Sequence, residues 1–428
     1  MGANILAACG AVCRAVAVLA AALLLATPAV HASSPGKAQA SGNGKMKPAV
    51  TYTPLTFAQL PGWEEDDHAA AFKTFLTSCE RVNASTRERA TSDKLPPPPA
   101  PLVAACAAAT QLATPVGRAA AKAFFEGHFT PNAVVHDGAG GLLTGYYEPL
   151  VDGSRTPQGV FQTPIYKRPP DLVNLVDETQ RASVGMGLSH ARKTDKGSEP
   201  FPTRAQIEQG ALKDRNLELL YLSDPVEVFF LQVQGSGRVK LSDGSIVRIH
   251  YDGKNGHPYT SIGRYLIEKG LLAADKVSMG ALKRWLKADP ERAKLVLWQN
   301  ASYVFFRELK GPEAAGPLGA LGARLTPGRS LAVDASHYAL GSPIYVSGEG
   351  MTHLNKGGSF HRLMIAQDVG SAIKGPERGD IYFGSGDAAG RLAGVTKHPA
   401  RFIVLLANEA PARADAVPSE PRSQNARQ

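Results

Sequence analysis

The sequence predicts a mainly β protein of barrel or sandwich architecture, carrying a few helices. Three observations predict it. The 428 residues include 43 glycines and 31 prolines, which favours turns and short strands over long helices. From Gly140 onward, short β-branched and aromatic runs are broken by glycine, proline and aspartate, as in "LLTGYYEPLVDGS" and "GVFQTPIYKRPPDLV". In "RVKLSDGSIVRIHY" the pair Asp243–Gly244 sits between alternating runs, which signals a hairpin in a sheet closed by turns.

The elements follow in order. Arg14 precedes the apolar run "AVAVLAAALLLATPAV", and Val30 and Ala32 stand at the −3 and −1 positions of a cleavage site, so residues 1–32 read as an export signal. "LAAC", Leu6 to Cys9, has no apolar stretch before it and reads as chance. Residues 33–50 are polar and glycine-rich, a tether. "DDHAAAFKTFLTSCERV" spaces Ala70, Phe72, Phe75, Leu76 and Cys79 as one helix face, and "VGRAAAKAFFEGHF" does the same through Ala119, Ala120, Ala123 and Phe124. "LPPPPAP" between them is extended. Cleavage removes Cys9 and Cys13; Cys79 and Cys106 remain, and export leaves both a disulfide and two buried thiols open. "DPVEVFFLQVQGSGRVKLSDGSIVRIHYDG" reads as strands, with "QGSG" a bend between them. A helical interlude spans about 260–300, capped by Thr260 or Ser261 and stopped by Gly270. Strand texture returns after 313 in "RSLAVDAS", "SPIYVSG", "HRLMIAQDVG", "GDIYFGS" and "RFIVLLA". Residues 409–428 lack apolar periodicity and read as a disordered tail.

Composition narrows the chemistry. The net charge of +9 suits an anionic envelope surface or an acidic polymer. No arginine-rich stripe with interleaved aromatics is present, which argues against nucleic acid. There is no Cys-x-x-Cys or His-Glu-x-x-His box, so no metal or other cofactor is expected. "QGSG" lacks the lysine of a phosphate loop, and no Gly-x-Ser-x-Gly elbow exists. Carboxylates remain. Asp334 in "LAVDAS", Asp368 in "IAQDVG" and Asp380 in "RGDIYFG" each border a strand-like run, where aspartate is a poor strand former. Each can be a cap or turn acceptor, or a functional group aimed into a cleft. An aspartic-protease reading wants two similar lobes far apart in sequence, whereas the Asp334 and Asp368 motifs lie 34 residues apart.

At these residues the sequence resembles the membrane-bound lytic murein transglycosylase A family, with its C-terminal three-aspartate (3D) domain. The resemblance rests on "LTGYYEP" (Leu143 to Pro149), "FQTPIYKRPPDL", "VFFLQVQGSG", "DGKNGHPYTSIGRYLIEKG", "NASYVFF", "LAVDAS" and "AQDVGSAIKGPERGDIYFGSGDAAG". It implies a double-psi β-barrel built from residues 51–149 and 313–408, with a smaller β-domain, 150–312, inserted. It implies cleavage of peptidoglycan glycan strands to 1,6-anhydro ends. Asp380 aligns with the catalytic acid, and Asp334 and Asp368 with the two supporting aspartates. Thr144, Tyr146, Gln234 and Lys374 are candidate substrate-binding residues, with a core role open for Tyr146 and a solvated loop for Lys374. The expected location is the periplasm, in association with the outer membrane; the expected form is a monomer, with cell-wall synthases as candidate protein partners. The usual lipobox position is missing, which leaves lipid anchoring open. A non-catalytic wall-binding protein and a two-carboxylate hydrolase using Asp368 and Asp380 stand as alternatives.

Overall fold

A computed structural model of the chain describes residues 50–88, 96–138, 140–175 and 188–409. The expected export signal lies outside these residues, as do nearly all of the expected tether and tail. Among the described residues, no helix is long and apolar enough to cross a membrane.

Strand β1 (Thr51–Pro54) leads into three helices, α1 (His68–Glu88), α2 (Ala100–Thr110) and α3 (Arg118–His128). Their inward faces bury Phe72, Phe75, Phe124 and Phe125 against the sheet residues Tyr345, Leu363, Ile365 and Leu405. Cys79 and Cys106 are bridged, with an S–S distance of 2.08 Å, and tie α1 to α2. Helix α2 is absent from the sequence-based reading because "APLVAACAAAT" is apolar all round and shows no period. The chain then forms β2 (Phe129–Val135) and β3 (Leu142–Glu148).

Pro149 carries it directly into a second sheet. The strands in this part are β4 (Leu150–Ser154), β5 (Thr163–Tyr166), β6 (Leu172–Asn174), β7 (His190–Thr194), β8 (Gly197–Glu199), β9 (Glu218–Leu222), β10 (Ser236–Leu241), β11 (Ile246–Lys254) and β12 (Val304–Glu308). Six of them form one sheet in the order β12-β11-β10-β4-β9-β5, and β6-β7-β8 form a small one. The expected hairpin at Asp243–Gly244 joins β10 to β11; Gly244 has φ 84° and Asp243 Oδ1 accepts the Ser245 N–H.

One stretch differs from expectation. "PVEVFFLQVQ" is a helix, α4 (Pro225–Gln234), not a strand. Asp224 Oδ1 accepts the Val226 N–H, proline occupies the first turn, and Gly235 ends the helix with φ 76°. These caps outweigh the β-branched and aromatic composition, because α4 is buried on both sides: Val228 and Leu231 pack on the insert sheet. Val226, Phe229 and Phe230 pack on helices α5 (Ile262–Glu268), α6 (Met279–Lys287) and α7 (Pro290–Leu297). "QGSG" is accordingly a helix-to-strand turn.

The chain returns through β13 (Ser330–Val333), β14 (Pro343–Gly348), β15 (Phe360–Val369), β16 (Arg378–Ser385), helix α8 (Asp387–Val395) and β17 (Lys397–Ala407). The pairings run β17-β14-β15-β13-β16-β3, and β3 pairs again with β17, so six strands close into a ring. Its interior holds Leu143, Leu331, Val333, Ile344, Met364, Ile381 and Phe402.

Candidate active site

Closing the ring aligns residues distant in sequence. Ala332 on β13 is the register partner of Asp368 on β15 and of Asp380 on β16. Asp380 is in turn the partner of Thr144 on β3, and Thr144 of Lys397 on β17. Register partners on neighbouring strands share a sheet face. The row Asp368–Ala332–Asp380–Thr144–Lys397 therefore crosses five strands on one face.

That face forms one wall of a cleft of about 330 Å³. The ring contributes Asp368, Ile373, Arg378 and Asp380, and the insert contributes Arg204, Gln234, Tyr259 and Asn300. Both carboxyls lie at the floor, where a little of each residue meets solvent and protein surrounds the rest.

Asp380 Oδ1 accepts the Thr144 hydroxyl at 2.6 Å, and Thr144 Oγ1 accepts Arg378 Nη2 at 2.8 Å. Among the described residues, Asp380 Oδ2 has no hydrogen-bond partner in the protein. Asp368 is held on both oxygens: Oδ2 accepts the Tyr146 hydroxyl at 2.9 Å, and Oδ1 accepts the N–H groups of Ala320 and Val369 at 2.9 Å each.

Burial pushes the Asp380 carboxyl up to about 6; the Thr144 hydrogen bond and the Arg378 guanidinium oppose the rise, and the Asp368 charge adds to it. Burial likewise pushes Asp368 up to about 6 against its three hydrogen bonds. Asp334 behaves differently. Burial acts to raise it, but donors from Gly375 and Ser336, with Lys374 nearby, hold it below the ordinary carboxylate range. Its Oδ2 accepts the Gly375 N–H at 2.9 Å and its Oδ1 accepts Ser336 N–H and hydroxyl. It is a turn acceptor that fixes the approach to β16, away from the cleft wall, and is not among the charges that act on Asp380.

The other expected residues separate by role. Tyr146 is 8% exposed and packs its ring 5.4 Å from Tyr382. It is a core residue whose hydroxyl still reaches a carboxylate. Gln234 lines the cleft from the end of α4, and its Oε1 accepts the Tyr147 N–H at 3.0 Å. Lys374 is exposed, 3.6 Å from Asp334. Arg378 escaped the sequence-based reading; its place two residues before Asp380 on a strand, hence on the same face, was the available signal.

The ring and the second sheet are clasped beside the site. Glu148, fully buried at the end of β3, accepts Arg248 Nε at 2.7 Å and the Ser385 hydroxyl at 2.6 Å. Arg238 Nε lies 3.5 Å away, an ion pair without hydrogen-bond geometry. Both arginines belong to the insert. Among the described residues, no cluster of histidine, cysteine or carboxylate side chains could hold a metal.

A closed ring bearing this carboxylate row, with a second sheet inserted after β3, defines a 3D-domain protein with a characteristic insert. Residues 142–307 match the MltA specific insert domain, and residues 329–406 match the 3D domain. The chain belongs to the membrane-bound lytic murein transglycosylase A family. It is 35% identical over 288 residues to the membrane-bound lytic murein transglycosylase A of Vibrio cholerae, covering 65% of this chain and 69% of that one. A membrane-bound lytic murein transglycosylase from Agrobacterium tumefaciens has a similar structure, with a TM-score of 0.74 and 36% identity, covering 83% of this chain and 98% of that one. Escherichia coli MltA with bound chitohexaose matches at a TM-score of 0.56 and 29% identity, covering 78% of this chain and 89% of that one.

Proposed function

We propose that the chain is a lytic transglycosylase that cleaves the β-1,4 bond between N-acetylmuramic acid and N-acetylglucosamine in peptidoglycan, with Asp380 as its single acid and base. The observation that carries this is the contrast between the two raised carboxyls: Asp368 has both oxygens engaged, whereas Asp380 keeps Oδ2 free toward the cleft. The binding of chitohexaose by the E. coli relative supports a glycan as the occupant of the cleft.

Protonated Asp380 donates from Oδ2 to the glycosidic oxygen, and the bond from that oxygen to C1 of the muramic acid breaks. The C6 hydroxyl of the same sugar attacks C1, and ionised Asp380 takes its proton. The acid is restored, no water is consumed, and the product ends in a 1,6-anhydro ring. A tethered nucleophile needs no second carboxylate to activate it. A carboxyl at about 6 suits both halves of this cycle near neutral pH, since it can hold the proton and then recover it. Thr144 and Arg378 orient it, while Tyr146 and the two backbone N–H groups fix Asp368 as the neighbouring charge. Gln234 lines the wall facing the sugars; Asp334 and Lys374 shape the turn before β16.

The same reading takes the ring as a double-psi barrel of residues 51–149 and 313–408 around an insert of 150–312. Its support is the closed order of six strands with parallel β13–β15 and β16–β3 pairs. It places the mature protein in the periplasm. Digestion of purified sacculi followed by mass spectrometry tests the chemistry. Fragments whose summed mass equals that of the parent strand are expected; a gain of one water per cut assigns a hydrolase, and no new ends assigns a binding protein.

A further inference from the structure

A second cavity of about 300 Å³ adjoins the cleft, sharing Val233 and Tyr259 with it. Its floor is apolar, with Phe229, Ile262 and Leu282, and its rim carries Arg264 and Lys397. Lys397 is the last member of the cross-strand row. Asp380, Thr144 and Lys397 are successive register partners, so two strand spacings, about 10 Å, separate the Lys397 and Asp380 backbones on one face. Among the described residues the exposed Lys397 ammonium makes no ion pair. Arg264 holds only the exposed Glu268, at 2.8 Å, a contact that exchanges readily with another carboxylate.

We propose that this cavity binds the short acidic peptide carried by the muramic acid, with Lys397 and Arg264 taking its carboxylates and the apolar floor its side-chain methylenes. The inference rests on the transglycosylase reading, which places a peptide-bearing sugar beside Asp380. A peptide-free glycan offers only one lactyl carboxylate per muramic acid, held close to the sugar ring, and no apolar chain to cover Phe229, Ile262 and Leu282. An acidic peptide matches both the cations and the apolar floor. The cavity's continuity with the cleft lets one substrate fill both.

The test measures binding, so that it is independent of turnover. Asp380→Asn protein is titrated with a peptide-bearing glycan and with the same glycan stripped of peptide by an amidase, its freed lactyl carboxyls capped as amides. The peptide-bearing form is expected to bind more tightly. Adding Lys397→Gln weakens that form about fivefold, the worth of one partly exposed ion pair, and leaves the stripped form unchanged. Equal weakening of both forms assigns the cavity to sugar and overturns the proposal. So does the absence of any change with Lys397→Gln, or equal affinity of the two glycans. Release of anhydro ends by the unsubstituted protein reports separately on the transglycosylase reading.

Discussion

Asp380→Asn separates the proposed work of the acid from its cost to the fold. The carboxyl sits at about 6 in the native protein, against an ordinary value of 3.8. The native state therefore holds a proton that the unfolded chain gives up across that window. The contribution is greatest below the lower value and is lost as pH rises through the upper one. Two units correspond to about 3 kcal/mol of disfavoured charge above pH 7. Asparagine never ionises and keeps an oxygen to accept the Thr144 hydroxyl. In urea unfolding, the variant and the unsubstituted protein should match near pH 3, and the variant should be more stable by about 3 kcal/mol at pH 8. It should meanwhile release no anhydro ends from sacculi. Equal stability at pH 8 would refute the claim that the carboxyl is desolvated, and near-normal release would move the acid's role to another residue.

Thr144→Val removes a hydrogen bond that favours ionised Asp380, so the acid should hold its proton to higher pH and the alkaline limb of the pH–rate profile should move up; an unmoved limb refutes the coupling. Glu148→Gln strips the charge from a clasp that holds two arginines and should cost about 3–5 kcal/mol, read from the urea midpoint. Cys106→Ser opens a bridge between residues 27 positions apart and should cost about 3 kcal/mol, with the unsubstituted protein matching it under reducing agent.

The texture of the sequence revealed a β-rich body, and its motifs led to the carboxylates. What it hid was pairing. Asp368 and Asp380 are twelve positions apart along the chain, yet their strands are not paired; β13, from further upstream, lies between them. No local pattern encodes that. Helix α4 has the composition of a strand, although its cap residues, Asp224, Pro225 and Gly235, stand plainly in the sequence. Thr144 and Tyr146 were legible as candidates, but their partners were not. Two residues apart on one strand, they share a face, and only the ring decides which carboxyl each one meets. Helix α8, in "DAAGRLAGV", was concealed by its glycines.

Strand β3 carries both hydroxyls that hold the carboxyls, and one residue later it becomes the first strand of the insert. An extended backbone transmits tension with little slack. If substrate draws the insert toward the ring, the pull is delivered along β3 to Thr144 and Tyr146. On the transglycosylase reading, the strand then works as a lever, linking the grip on a polymer to the proton affinity of the proposed acid.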